Sequence, residues 1–361
     1  MHASSLRRRR AIAQGLHRPA GAGVQDAVRG LLAVQGQELR SARRAIRART
    51  RATTAAQVDA LLTDGALVLT WLCRGTLHLV DRDDYPWLLG LTAPTVATAN
   101  TRRLRQEGVG EADAERGVRT IVAALAAHGP LTRQQLGERL SGAGVPAQGQ
   151  ATIHLLLLTG MRGLTVRGPV VSAAGQAYAL TQDWLGIAPP PPLTGEARDA
   201  ALGELARRYL TGHGPAGAGD LAAWTGLPLR DARRGLERIA ADLAPVGNDL
   251  VDLARRQDTA GARLAPRLLG SFDPLVIGWK RRDLVVAPEH QPRFFSKNGI
   301  LPAVALVGGR AVALWSSRRS GSGVDLTPFG AALAPATEAA LQRDAADLAR
   351  FEAPSAAPPA K

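Results

Sequence analysis

Two glutamines, Gln35 and Gln37, flank Gly36 in a short break between two amphipathic stretches. In an extended break alternate side chains point the same way, so the two amides share one side. Each amide offers a carbonyl acceptor and two N–H donors, and a pair of them can hold a water molecule. The same pair can equally satisfy backbone groups at helix ends. An arginine-rich stretch follows at once, with Arg40, Arg43, Arg44 and Arg47 at helical spacing. Such a row is a solvated face or a track for phosphates. Further along, Arg74 leads into "GTLHLV", where Thr76 and His78 lie two apart and so share one face of a strand. A lone strand histidine is a satisfied core group or a support for a ligand. Lys280, Arg281 and Arg282 concentrate charge in "WKRRD", a solvated turn or a tip that touches phosphates. Asp273 precedes a proline and reads as the start of a turn rather than a catalytic carboxylate.

Composition narrows the partners. The 361 residues carry a formal net charge of +14, and all but three of the 45 basic residues are Arg. A GC-rich genome would produce that bias, but arginine also pairs bidentately with phosphate, and the charge points to nucleic acid. The single cysteine, Cys73, forms no internal disulfide and builds no thiolate cluster; it reads as a small buried hydrophobe. The seven histidines show no metal-ligand spacing, so neither a metal nor another cofactor is expected. The basic start, Arg7 to Arg10, is not followed by an apolar segment of a signal peptide, and no apolar run approaches a membrane span. A cytoplasmic, nucleoid-associated protein without a membrane partner is expected. No phosphate-binding loop, zinc-deaminase motif or nucleophile elbow occurs.

The elements that must position these residues follow from periodicity. Val24, Val28, Leu31 and Leu32 mark a helix before the glutamine break, and 38–49 and 54–63 read as two more, the last closed by Gly65. The stretch 66–80 alternates and reads as a strand pair bent at Gly75. Helices followed by a hairpin give winged-helix order. His128-Gly129-Pro130 recurs as His213-Gly214-Pro215, and Leu136 matches Leu221 at the same offset, which points to a duplicated helix-turn-helix core. The proline run at 189–192 reads as a spacer. The expected division is a first unit over 1–110 carrying the glutamines, a second over 111–187, a third over 188–264, a β-rich part over 265–352 with a basic hairpin, and a disordered tail over 353–361. The fold class is α+β, mainly α.

The Gln-x-Gln motif with "ARRAIRART", together with "RGTLHLV" and "FDPLVIGWKRRD", resembles the AlkZ-type winged-helix DNA glycosylases, and the resemblance spans nearly the whole chain. It implies three tandem winged-helix units around a C-shaped, basic DNA channel. It implies excision of N7- or N3-alkylated purines from double-stranded DNA, including bulky adducts and interstrand crosslinks, in base excision repair or in self-resistance to a DNA-alkylating natural product. The two catalytic glutamines of the motif map onto Gln35 and Gln37. Gly36 departs from the small apolar residue common between them, while the second glutamine matches the crosslink-acting branch. Thr76 and His78 would support the site. Arg40, Arg43, Arg44, Arg47, Arg74, Lys280, Arg281 and Arg282 would contact DNA. No lysine lies near the motif to form a Schiff base, so hydrolysis without lyase activity is expected. Three units in one chain suit a monomer wrapping a duplex, and no aromatic wedge adjoins the glutamines, which suggests an open groove rather than full extrusion of the base. The rival reading is a non-catalytic winged-helix DNA-binding protein or transcription regulator, which shares fold, charge and partner.

Overall fold

A computed structural model describes residues 2–354 apart from 20, 173–174, 257–261, 295–298 and 319–322. The tail expected to be disordered lies outside the described residues from 355 onward.

The chain opens with α1 (Ala3–Ala13) and α2 (Val24–Leu31), whose Val24, Ala27, Val28 and Leu31 bury one helical face. Leu32, at φ 66°, turns the backbone out of α2 into the three-residue strand β1 (Ala33–Gln35). Then follow α3 (Leu39–Arg49) and α4 (Ala55–Thr63). The strands β2 (Leu67–Trp71) and β3 (Leu77–Asp81) pair antiparallel across a tight turn through Cys73–Gly75, as their alternation implied. A 22-residue helix, α5 (Tyr85–Gln106), comes next. Its apolar period is hidden in the sequence by Pro94 and a run of Ala and Thr.

The repeat is visible in the structure. In the first copy α6 (Glu111–His128), α7 (Arg133–Gly142), α8 (Ala151–Met161) and the wing β4 (Thr165–Ser172) with β5 (Gly175–Leu180) follow one another. After α9 (Thr181–Leu185) the second copy runs α10 (Gly195–His213), α11 (Ala218–Thr225), α12 (Leu229–Arg238) and the wing β6 (Leu243–Gly247) with β7 (Leu250–Leu253). Each His-Gly-Pro ends a helix. Leu136 and Leu221 are both buried. Leu131 and Ala216, at the same offset, each make an isolated antiparallel bridge to the second strand of the following wing, Leu131 to Tyr178 and Ala216 to Val251.

The last part contains β8 (Arg267–Leu269), α13 (Pro274–Ile277), α14 (Gln291–Phe294), β9 (Val304–Val307), β10 (Arg310–Ser317), β11 (Val324–Pro328) and α15 (Pro335–Glu352). The part expected to be β-rich with a basic hairpin is corrected here: "RLLGSFDPLVIGW" and "DLVVAP" contain β-forming residues, yet only Arg267–Leu269 is a strand. Asp273 accepts a hydrogen bond from the Leu275 N–H, and Pro274 occupies the first helical position, so the segment turns into a short helix. The basic residues 280–282 therefore sit on a loop, not on a hairpin tip.

Contacts divide the chain into two compact units that do not follow chain order. One comprises 1–58, 203–224 and 229–361; the other comprises 59–202 and 225–228. In the first, the sheet β11-β10-β9-β8 carries a core of Leu268, Ala305, Ala313, Trp315 and Val324 under Leu341, Ala345 and Leu348 of α15. In the second, β3, β2, β4 and β5 lie side by side, all antiparallel. Trp71 of β2 stacks 6.0 Å from Tyr178 of β5. A Cβ on Gly160 of α8 would stand 2.9 Å from the Trp71 ring, so only glycine lets the helix approach it.

Candidate active site

In the first unit Gln35 ends β1 and is half-buried, Gly36 is buried, and Gln37 is exposed in the bend that leads into α3. Glu38 holds the extended backbone that precedes the helix, and its carboxylate accepts from the Ser41 hydroxyl at 2.8 Å. The amide pair thus lies where β1 bends toward α3, with Gln37 open to solvent.

The four arginines of α3 separate by burial. Arg40 is exposed and Arg43 and Arg44 are half-buried, but Arg47 is fully buried. Its guanidinium lies 2.7 Å from Asp344 of α15 and 3.5 Å from Asp347. The expectation that Arg47 contacts DNA is therefore corrected: it is a core ion pair, and moving it to solvent would break that pair and leave Asp344 to Arg267 at 2.9 Å. The neighbouring Arg49, also buried, grips Asp273 through two bonds of 2.9 and 3.0 Å and donates to Gln14 at 2.7 Å. That fulfils the structural role expected of Asp273. Arg40 and Arg44 share one carboxylate, Glu352, at 2.7 Å each. Burial alone would raise the Glu352 carboxyl, but the hydrogen bonds and charges of the two arginines outweigh it and hold it at about 2. Arg44 also lies over Trp315, 4.9 Å from the ring centroid. Neither Glu352 nor Asp344 was foreseen as a partner, since both lie about 300 residues away in sequence.

The loop of Lys280, Arg281 and Arg282 is anchored from within the same unit. Trp279 is buried and donates its indole N–H to the His213 carbonyl at 3.0 Å. Arg10 lies over the Trp279 ring at 4.6 Å, and Asp220 accepts from the Lys280 backbone N–H at 3.0 Å. Lys280 and Arg281 are exposed, and Arg281 pairs with Asp283 at 2.9 Å. His213, stacked on Tyr209 at 4.7 Å, is wholly buried, which pushes its pKa down to about 3.

In the second unit Thr76 is half-buried and extended, and His78 on β3 is buried opposite Thr70 on β2. Burial, with Arg74 adding repulsion, pushes the His78 pKa down to about 3, so the ring is neutral near pH 7. Its Nδ1 lies 2.9 Å from the Thr76 carbonyl and must donate to it, which leaves Nε2 as an acceptor. The Thr76 hydroxyl donates to the Cys73 carbonyl at 3.1 Å. Arg74 is exposed, at φ 58° in the turn before β3. Cys73 is buried, and its thiol is pushed up to about 11 by burial, so it is inert as a nucleophile.

Among the described residues no cluster of His, Cys, Asp or Glu is arranged to hold a metal, and no helix is long and apolar enough to cross a membrane. Repeated winged-helix elements, surplus arginine and a solvent-facing amide pair define a nucleic-acid-binding protein of the winged-helix class. More specifically, the chain belongs to the DNA glycosylase AlkZ-like family, whose model matches residues 28–351. It is an enzyme of that kind, and its substrate is DNA. It is 27% identical to the interstrand DNA cross-link repair glycosylase of Streptomyces sahachiroi, with 92% of each chain covered. Its fold matches that of the Streptomyces sahachiroi DNA glycosylase AlkZ with a TM-score of 0.80 at 23% identity, over 97% of this chain and 96% of the other.

Proposed function

We propose that the protein is a monofunctional glycosylase that hydrolyses the N-glycosidic bond of alkylated purines in double-stranded DNA, with Gln35 and Gln37 steering the attacking water. The observation that carries this reading is the pair itself: one half-buried and one exposed amide around a buried glycine, at the surface of an arginine-bearing unit. An N7-alkylated purine is cationic before cleavage, so it departs with the bonding electrons as a neutral base and needs no general acid. As the C1′–N bond breaks, the sugar takes on oxocarbenium character. A water oxygen then bonds to C1′ and its proton passes to solvent. A Gln carbonyl orients the water, and the second amide fixes the first by hydrogen bonding. Positioning of this kind contributes several kcal/mol. Two neutral amides also avoid repelling the cationic base.

Thr76 and His78 are supports on the second unit: the His78 ring donates to the Thr76 carbonyl and the Thr76 hydroxyl to the Cys73 carbonyl, which holds the turn that carries Arg74. Arg40, Arg43, Arg44, Arg74, Lys280, Arg281 and Arg282 bind phosphates. The protein acts as a monomer on bulky adducts, including interstrand crosslinks, the substrate named for its Streptomyces sahachiroi relative. Protection of a cell that makes a DNA-alkylating natural product is the corresponding biological role.

The reading is tested by incubating the protein with duplex DNA containing 7-methylguanine. Free 7-methylguanine should appear while the strand stays intact until alkali is added. Strand scission without alkali would refute the monofunctional assignment, and no release at all would refute the substrate.

A further inference from the structure

The second unit holds a cavity of about 520 Å³, of which the reading above uses only Arg74. Helices α5 and α8, the turn at Arg74–Gly75 and the segment Thr225–Leu227 enclose it, all within that unit. Its size falls in the range of ligand sites, about 300–1,000 Å³. Val96, Ala99, Leu157 and Leu227 supply an apolar surface. Arg74, Arg102 and Arg103 stand around it, and no carboxylate is among the described lining residues. Arg103 is matched by Glu107 at 2.9 Å. The turn that carries Arg74 packs on Gly226, where a Cβ would meet Arg74 atoms at 3.1 to 3.2 Å, so this wall is closely built.

One polar pair inside the cavity is locked. Asn100 is buried, and its Nδ2 donates to the His154 carbonyl at 3.0 Å. That bond fixes the amide, so Oδ1 faces His154 and accepts from Nδ1 of the ring at 2.8 Å. The ring's remaining nitrogen, Nε2, is then an acceptor. Burial and the nearby Arg103 lower the His154 pKa and keep the ring neutral, against the opposite pull of Glu107. An apolar surface, a cationic rim and one acceptor together match a nucleobase with its phosphate. Planar bases pack on apolar side chains, an amino or imino N–H meets the acceptor, and guanidinium groups take the phosphate.

We propose that this cavity receives one nucleotide of the bound DNA, turned out of the base stack, with its base against Val96, Ala99 and Leu157 and its phosphate at Arg74 and Arg102. The inference rests on the reading that the chain engages alkylated duplex DNA. It departs from the open groove without extrusion expected from the sequence, which had no view of α5.

The test uses the full chain and duplexes in which a 2′-fluoro sugar protects 7-methylguanine from cleavage. 2-Aminopurine, which carries an amino N–H, is placed in turn at each position around the lesion. One position should brighten several-fold on binding. Ala99→Trp fills the cavity and should abolish that rise while circular dichroism and melting stay those of the parent. Arg102 is exposed, so Arg102→Glu preserves the fold and remains decisive if the tryptophan variant does not fold. It should weaken binding, lower the rise and reduce the salt slope by about one. No brightening at any position, brightening that persists in Ala99→Trp, or an Arg102→Glu variant identical to the parent would each overturn the proposal. Base release from unprotected 7-methylguanine DNA is measured in parallel. Brightening without release keeps the pocket and sinks the glycosylase reading; release without brightening does the reverse.

Discussion

The two ends of α3 carry the same residue type and do opposite things. At its start exposed Arg40 and half-buried Arg44 share Glu352. One turn later Arg47 and Arg49 are sealed in the core on Asp344 and Asp273. Helical spacing alone cannot tell these apart, because what decides is a carboxylate supplied from elsewhere in the chain. Surplus arginine in this protein is therefore both a surface charge and an internal scaffold. The scaffold ties the far end of α3 to α15 and to the start of α13.

The contrast can be broken by substitution. The largest effect is expected at Arg49→Met, which leaves Asp273 buried and unpaired and should cost about 3–5 kcal/mol of stability. Pairing it with Asp273→Leu should restore much of that loss, although the cap on α13 goes too. A double-mutant cycle by urea unfolding checks the coupling. Arg47→Met should cost less, because Asp344 keeps Arg267 at 2.9 Å. At the exposed end the order reverses. Glu352→Gln should cost less stability than Arg49→Met, because the side chain keeps its size and can still accept from the arginines, but tighten DNA binding. Its salt dependence should steepen by about one unit of slope per arginine released. A large loss of stability in that variant would erase the distinction between the two ends.

Acid sharpens the comparison further. The buried His78 and His213 are pushed down to about 3 from an ordinary value of 6.5. A depressed pKa means the unfolded chain takes up protons first. These residues thus contribute fully above about pH 6.5, and their contribution falls as pH drops toward 3. Stability should decline through that window, and His213→Phe, which keeps the ring stack, should flatten part of the decline. A parent protein whose stability is flat between those values would contradict the burial of these rings.

Much of the fold was legible because its signals are local. The apolar face of α2, the glycine stop at Gly65, the alternating strands β2 and β3 and the repeated His-Gly-Pro all rest on residues near one another. The glutamine break, too, could be placed between helices from the sequence. What was not legible depended on distant partners. Arg47 looked like the rest of its row, and the aspartates that bury it lie in α15. "SFDPLVIGW" has β-forming residues, yet the Asp-Pro cap turns it helical. Helix α5, whose Thr, Ala and Asn line a cavity, has too weak an apolar period to declare itself.

The central claim is that Gln35 and Gln37 carry the chemistry rather than the grip on DNA. Single-turnover release of 7-methylguanine should therefore be compared between the parent and the Gln35→Ala, Gln37→Ala double variant, alongside their affinities for the same duplex. The account predicts a fall of about 100-fold or more in the release rate, with affinity nearly unchanged. Equal rates, or a loss explained wholly by weaker binding, would contradict it.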